Sequence, residues 1–257
     1  MASQAPACAA VGSRKLPVNH ARVAGENRSS TWADIPLSLP PAYDIGRPPG
    51  MVREDNTERM TDSEARRRAA EAMRRTPRGR FLPPRQVPLA DLDGPVPIGS
   101  GQTNSQPRTV LDMLELLDVQ PGQWVLDIGS GSGWTTAILA RLVGPDGLVL
   151  GVERIPELAA FGARALNATE QTWAQIRVAT PGTLGLPDVA PFDRILVSAE
   201  ADELPDQLVE QVGIGGVMVL PVQGRMLRVT RDEDGVRQEE HGWYRFVPLV
   251  LDEPGAS

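Results

Sequence analysis

The run Val125-Leu126-Asp127-Ile128, followed by Gly129-Ser130-Gly131-Ser132-Gly133-Trp134, holds residue types that bring backbone close to a ligand. An apolar stretch carrying an acid, then glycine at alternate positions, then Thr135-Thr136-Ala137-Ile138-Leu139-Ala140, reads as a buried strand turning tightly into a helix. Glycine suits such a turn because a Cβ would block both positive φ and close approach. The free N–H groups of a helix start then favour anionic or polar ligand parts. A G-x-G-x-x-G dinucleotide fingerprint would need glycine where Trp134 stands. About 20 residues further on, Glu153 closes a second apolar run, Leu148-Val149-Leu150-Gly151-Val152, where an acid can bond both hydroxyls of a ribose. Turn, acid and spacing together predict a nucleotide-type cofactor.

The glycines at 129, 131 and 133, with Asp127 two residues ahead, resemble the first motif of S-adenosylmethionine (SAM) dependent methyltransferases of the Rossmann-like class. Methyl transfer to an amine or hydroxyl often calls for a base, whereas a carboxylate, with a pKa near 4, is already ionised at neutral pH. This chain is poor in bases. Its single cysteine is Cys8, its single lysine Lys15, and beyond residue 60 its only histidine is His241. A carboxylate acceptor fits that scarcity, with hydroxyls and backbone N–H groups aligning it and stripping part of its water.

The elements that must position these groups follow from the pattern on either side. Thr61-Asp62-Ser63-Glu64 fits a capping box ahead of a helix over Ala65 to Arg75. The arginines at 66, 67, 68, 74, 75, 78, 80 and 85 read as a solvated, partly paired face. Two prolines and two glycines from Val96 to Pro107 argue against regular structure there. Ser105 followed by Pro107 opens an amphipathic helix through Leu111, Leu114 and Leu117, and on spacing alone Ser105 serves equally as an N-cap. Beyond the glycine turn, helices from Pro156 and near Pro205 to Gln211 alternate with strands at 175–178 and 194–198. Later strands are expected at 217–222, at 226–230 and around Tyr244 to Val247. The fold class is therefore α/β, a mostly parallel, doubly wound sheet with helices on both faces and the ligand beyond the carboxyl ends of the strands.

Composition limits the partners. A chain of 257 residues, 41% hydrophobic, is long enough for one such domain plus an extension. A net charge of −7 offers no basic footprint for nucleic acid or a membrane surface, and no run of about 18 apolar residues exists to span a bilayer. A cytoplasmic monomer is expected. Residues 1–59, broken by Pro17, Pro36, Pro40, Pro41, Pro48 and Pro49, read as a disordered extension or as sequence ahead of a true start at Met51 or Met60. The catalytic domain is expected over 60–250 and a flexible tail over 251–257. The dominance of arginine over lysine matches a GC-rich coding sequence and hints at a high-GC bacterium.

Arg80-Phe81-Leu82-Pro83, the loop Pro97-Ile98-Gly99-Ser100-Gly101-Gln102-Thr103-Asn104-Ser105-Gln106-Pro107, the glycine turn, Ala190-Pro191-Phe192-Asp193 and Arg245-Phe246-Val247-Pro248-Leu249 occur in an order that resembles the protein-L-isoaspartate O-methyltransferases. The resemblance runs from about Met60 to Leu249. It implies SAM as cofactor and, as acceptor, the free α-carboxylate of isoaspartyl residues in damaged proteins or peptides. Esterification makes that carboxyl a better leaving group, so the chain recloses to a succinimide that can hydrolyse to normal aspartate. Carried onto this sequence, the family's active-site serine is Ser105, holding the substrate carboxylate rather than attacking. Thr103, Asn104 and Gln106 accompany it on the substrate side. Asp127, Gly129, Ser130, Gly131 and Gly133 shape the SAM pocket, and Glu153 takes the ribose.

Three positions depart from the family pattern. Asn104 replaces an apolar residue; Ala179-Thr180-Pro181-Gly182 replaces a Gly-Asp-Gly whose acid contacts the adenine amine, leaving Thr180 for that contact; and Ser198-Ala199-Glu200-Ala201-Asp202 puts two acids where the family tends to be small and neutral. These departures keep two further readings open: methylation of an aspartate in a dedicated peptide to form an aspartimide, and a binding protein that keeps the fold without turnover. Transfer to RNA is disfavoured by the acidic balance.

Overall fold

The structure, a computed structural model, describes residues 62–253; the extension over 1–59 and the capping residue Thr61 lie outside them. Helix α1 (Asp62–Arg74) packs on α2 (Pro107–Leu117), where the guanidinium of Arg66 bonds Asp112 and Glu115 and that of Arg68 bonds Asp118. These two arginines join helices, while Arg74 and Arg75 pair within α1 to Glu71.

Strands β1 (Val96–Gly99) and β2 (Gln102–Asn104) form a small antiparallel hairpin where the proline and glycine content argued against regular structure. The glycines supply the turn instead of breaking the strands, with Gly99, Ser100 and Gly101 all at positive φ.

The main sheet runs β5 (Ala174–Val178), β4 (Leu148–Glu153), β3 (Trp124–Ile128), β6 (Phe192–Val197), β7 (Val212–Val222), β8 (Arg225–Asp232) and β9 (Gly235–Trp243). The first five are parallel and the last two antiparallel. Helices α3 (Trp134–Val143) and α4 (Pro156–Asn167) follow β3 and β4, and the short α5 (Asp206–Val209) precedes β7. One face of the sheet buries Val125, Val149, Leu196, Val219 and Met226 with Met113, Leu114, Ile138 and Leu139; the other buries Leu126, Ile128, Leu150, Val197, Met218 and Leu220. That alternation along β3 sends Leu126 and Ile128 one way and Val125 and Asp127 the other, toward α3.

The chain steps from β3 to β4 on one side and reaches β6 on the other, so the strand order reverses at β3 and leaves a crevice beyond its carboxyl end. Two late elements differ from expectation. Residues 244–247 are not a strand, and β9, exposed along nearly its whole length, carries no apolar alternation to reveal it; Arg228–Glu239 and Arg237–Asp232 ion pairs accompany its ladder. No helix among the described residues is long and apolar enough to cross a membrane.

Candidate active site

The glycine turn follows β3 directly. Gly129 and Ser130 donate their N–H groups to the carbonyl of Val152 at 2.9 and 3.1 Å, which seats the turn beside the end of β4. Gly129, Gly131 and Gly133 all adopt positive φ, at 74°, 52° and 88°. Their roles differ. Gly129 and Gly131 line a cavity with Ser130 and Ser132, whereas Gly133, off the cavity wall, lets helices approach: a Cβ there would stand 2.9 Å from Ile176 Cδ1 and 3.0 Å from the carbonyl of Gly162 in α4. Glu153, 5% exposed, lines the cavity and accepts the N–H of Gly131 on Oε2 and of Ile155 on Oε1, each at 2.9 Å. A carboxylate has about four acceptor positions, so this one is oriented and still keeps capacity for paired hydroxyls.

Asp127 is not on the cavity wall. It is fully buried, and its Oδ2 accepts the hydroxyls of Thr135 at 2.8 Å and Thr136 at 2.7 Å, while Oδ1 has no partner among the described residues. It shapes the turn by fixing the first residues of α3. Burial pushes its carboxyl up to about 6, with the charge of Glu153 adding to the rise and the two threonine bonds opposing it. A folded-state pKa above the unfolded value means stability that is present below pH 3.8 and lost as pH rises through about 6. The span corresponds to about 3 kcal/mol. Thermal unfolding followed from pH 4 to 8 is expected to show Asp127→Asn gaining on the wild type as pH rises; a pH-independent difference would contradict the burial of an ionisable group there.

The second wall comes from the hairpin. Thr103, Asn104 and Ser105 line the same cavity as the glycine turn. Ser105 is not the N-cap of α2: Gln106 holds that position, makes no side-chain cap bond, sends its Nε2 to the carbonyl of Asp93 at 3.2 Å and stays off the cavity wall. The Ser105 hydroxyl has no hydrogen-bond partner among the described residues.

What holds this loop is Arg78, which the run of arginines disguises as part of a solvated face. It is 5% exposed. Its Nε donates to Asn104 Oδ1 at 2.7 Å, one terminal nitrogen to the carbonyl of Leu92 at 2.9 Å, and the other to the carbonyls of Gly94, Asn104 and Ser105 at 2.8, 2.9 and 2.9 Å. The guanidinium also lies 5.5 Å from the ring centre of Trp134, the first residue of α3 and part of the cavity wall. Asn104 in turn donates its Nδ2 to Ser132 Oγ at 3.1 Å.

Three further segments complete the wall. Ser198 and Ala199 follow β6, Thr180 lies with Thr183, Leu184 and Gly185 in the loop after β5, and residues 247–252 pass across the top. Leu251 and Asp252, expected in a tail, are part of the site. The strap is tied by Glu200 N–H to the Val247 carbonyl (2.7 Å), Leu249 N–H to the Glu200 carbonyl (2.6 Å), Gly182 N–H to the Asp252 carbonyl (2.7 Å) and an Arg154–Asp252 ion pair (2.7 Å). Neither Glu200 nor Asp202 lies on the cavity wall, and Asp202 is exposed.

The model of the protein-L-isoaspartate(D-aspartate) O-methyltransferase family matches residues 50–254. The protein-L-isoaspartate O-methyltransferase of Methanopyrus kandleri is 47% identical over 191 residues, 72% of this chain and 84% of that protein. The Aeropyrum pernix protein of the same name is 46% identical over 189 residues, 72% and 73% of the two chains. Among solved structures, a Plasmodium falciparum chain described as a protein-L-isoaspartate O-methyltransferase, in complex with S-adenosyl-L-homocysteine, superposes with a TM-score of 0.65 at 24% identity, covering 72% of this chain and 91% of its own. That likeness shows the fold of a class I methyltransferase.

Proposed function

The chain belongs to the protein-L-isoaspartate(D-aspartate) O-methyltransferase family, and on that premise we propose that it methylates the free α-carboxylate of L-isoaspartyl residues in proteins or peptides, using SAM. The observation that carries this reading is the meeting, on one cavity wall, of an oriented carboxylate and glycine cradle with a serine hydroxyl that has no partner among the described residues.

The cradle fits SAM on its own geometry. Gly129 and Gly131 leave backbone where a side chain would stand, and Glu153 keeps acceptor capacity on two oxygens already fixed by Gly131 and Ile155. Thr180, on the wall after β5, is the residue whose hydroxyl would meet the adenine amine. When bound there, SAM supplies a methyl group on a positively charged sulfur.

The protein's part is alignment. The acceptor carboxylate is ionised at neutral pH and needs no base, consistent with a cavity wall that carries no histidine, lysine or cysteine among the described residues. Ser105 donates its hydroxyl to one carboxylate oxygen, with Thr103 available beside it, and leaves the other oxygen free to attack in line. Trp134, Ile98 and Val247 to Leu251 exclude water, so the carboxylate is partly desolvated as it approaches. The acidic balance of the chain favours a polypeptide over nucleic acid as acceptor, and we place the activity in the cytoplasm, in a monomer.

Paired peptides, identical except for isoaspartate or aspartate at one position, test the reaction with labelled SAM. Base-labile label on the isoaspartyl peptide alone is expected. Binding of SAM with no label on either peptide would replace the repair reading by a dedicated acceptor, and absence of binding would leave only a non-catalytic fold.

A further inference from the structure

Asn104 has one side-chain atom on each half of the site. Its Oδ1 accepts from Arg78 Nε at 2.7 Å and its Nδ2 donates to Ser132 Oγ at 3.1 Å, and it is 5% exposed. Ser132 belongs to the glycine turn and is equally buried. Arg78 grips the carbonyls of Asn104 and Ser105, so the position of the Ser105 backbone is set by the same guanidinium that Asn104 touches. An apolar side chain at 104 would cut this connection and leave Arg78 Nε and Ser132 Oγ without these partners in a water-poor interior, where an unmet polar group is costly. A displacement of the turn would therefore be felt at the Ser105 backbone through the buried Asn104–Ser132 and Arg78–Asn104 hydrogen bonds and the bond from Arg78 to the Ser105 carbonyl.

We propose that Asn104 is a positioning residue that couples the cofactor turn to the acceptor loop, so that occupation of one side of the site tightens binding on the other. The proposal rests on the reading of the cavity as a SAM and isoaspartyl-peptide site. Cofactor in the cradle fixes Ser132; Ser132 fixes the amide of Asn104; Asn104 and Arg78 together fix Ser105 where it meets the acceptor carboxylate. Linkage makes the effect reciprocal, so the peptide must tighten the cofactor by the same factor.

Calorimetry of S-adenosyl-L-homocysteine binding, with and without a saturating isoaspartyl peptide, measures that factor directly. The wild type is expected to bind the cofactor product about tenfold more tightly when the peptide is present. Asn104→Leu and Ser132→Ala are each expected to bring the ratio close to one, while Asn104→Asp, whose carboxylate can accept from both Arg78 Nε and the Ser132 hydroxyl, retains it. A merely structural role would weaken binding with and without peptide alike and leave the ratio unchanged. Ser132→Ala leaves the Arg78 clamp intact and so reports even where Asn104→Leu unfolds. Variants that keep the wild-type ratio, or a wild type whose ratio is one while it still methylates the peptide, overturn the coupling and leave the proposed reaction standing. A wild type that binds no S-adenosyl-L-homocysteine overturns both.

Discussion

Ser105→Ala is expected to lower kcat/KM for an isoaspartyl peptide about 100-fold, the scale on which misaligned reactants slow, while S-adenosyl-L-homocysteine binds within about twofold of the wild type, a change of under about 0.5 kcal/mol. The asymmetry follows from where each contact originates. The cofactor side is made by Gly129, Ser130, Gly131 and Glu153, whose hydrogen bonds run to Val152, Ile155 and each other and never through the Ser105 side chain. The acceptor side depends on a hydroxyl with no partner among the described residues, so its removal leaves none of their buried groups unsatisfied and the loop keeps its shape through the Ser105 carbonyl on Arg78. Thr103→Ala, at an exposed position on the same wall, is expected to cost less. Initial rates against peptide concentration, set beside calorimetry, check both halves of the expectation. Equal loss of turnover and cofactor affinity would place the acceptor elsewhere.

The cofactor half of the site is legible in the sequence because its determinants are local. A strand, three alternating glycines and an acid at the end of the next strand lie within about 30 residues, and glycine at positive φ announces itself by residue type. Even there the roles of Asp127 and Gly133 are set by packing that residue type does not reveal, since a carboxylate on the hidden side of β3 and one on the cavity side read alike. The acceptor half is less legible. Ser105 stands out only through resemblance, because spacing alone makes it an N-cap, a position that Gln106 takes. Arg78 could not be distinguished among its arginine neighbours. Its burial is created by carbonyls 14 to 27 residues away, brought together by the hairpin β1–β2 and the turn at 92–94. One available signal was its place between Pro77 and Gly79, off the helix, where no i, i+4 partner could hold it. Strand β9 escaped for the opposite reason: it buries neither face, so nothing selects a period of two.

Arg78→Met is expected to be the most damaging single change to the fold around the site. Methionine keeps much of the aliphatic bulk yet removes the donors that serve five acceptors: the carbonyls of Leu92, Gly94, Asn104 and Ser105, and Asn104 Oδ1. The two acceptors on Asn104 are buried and each costs about 1–3 kcal/mol when left unpaired, while the part-buried carbonyls of Leu92, Gly94 and Ser105 recover most of their loss from water. A net loss of about 3 kcal/mol follows, which in a domain of this size lowers the melting temperature by roughly 6–12 °C. Desolvation already pulls the Arg78 guanidinium below the ordinary arginine value, with the charge of Asp93 opposing, and no carboxylate among the described residues forms an ion pair with it, so hydrogen bonds hold it in place. Lysine tests that distinction. Arg78→Lys preserves the charge but presents one nitrogen instead of a planar fork, so it can reach one or two of the carbonyls and cannot span Leu92, Ser105 and the Asn104 amide together. It is expected to regain less than half of the lost stability and almost none of the lost methyl transfer, because the Asn104–Ser105 backbone stays unclamped. If thermal melts showed lysine restoring both in full, a point charge would suffice there and the fork geometry would have no role in placing Ser105.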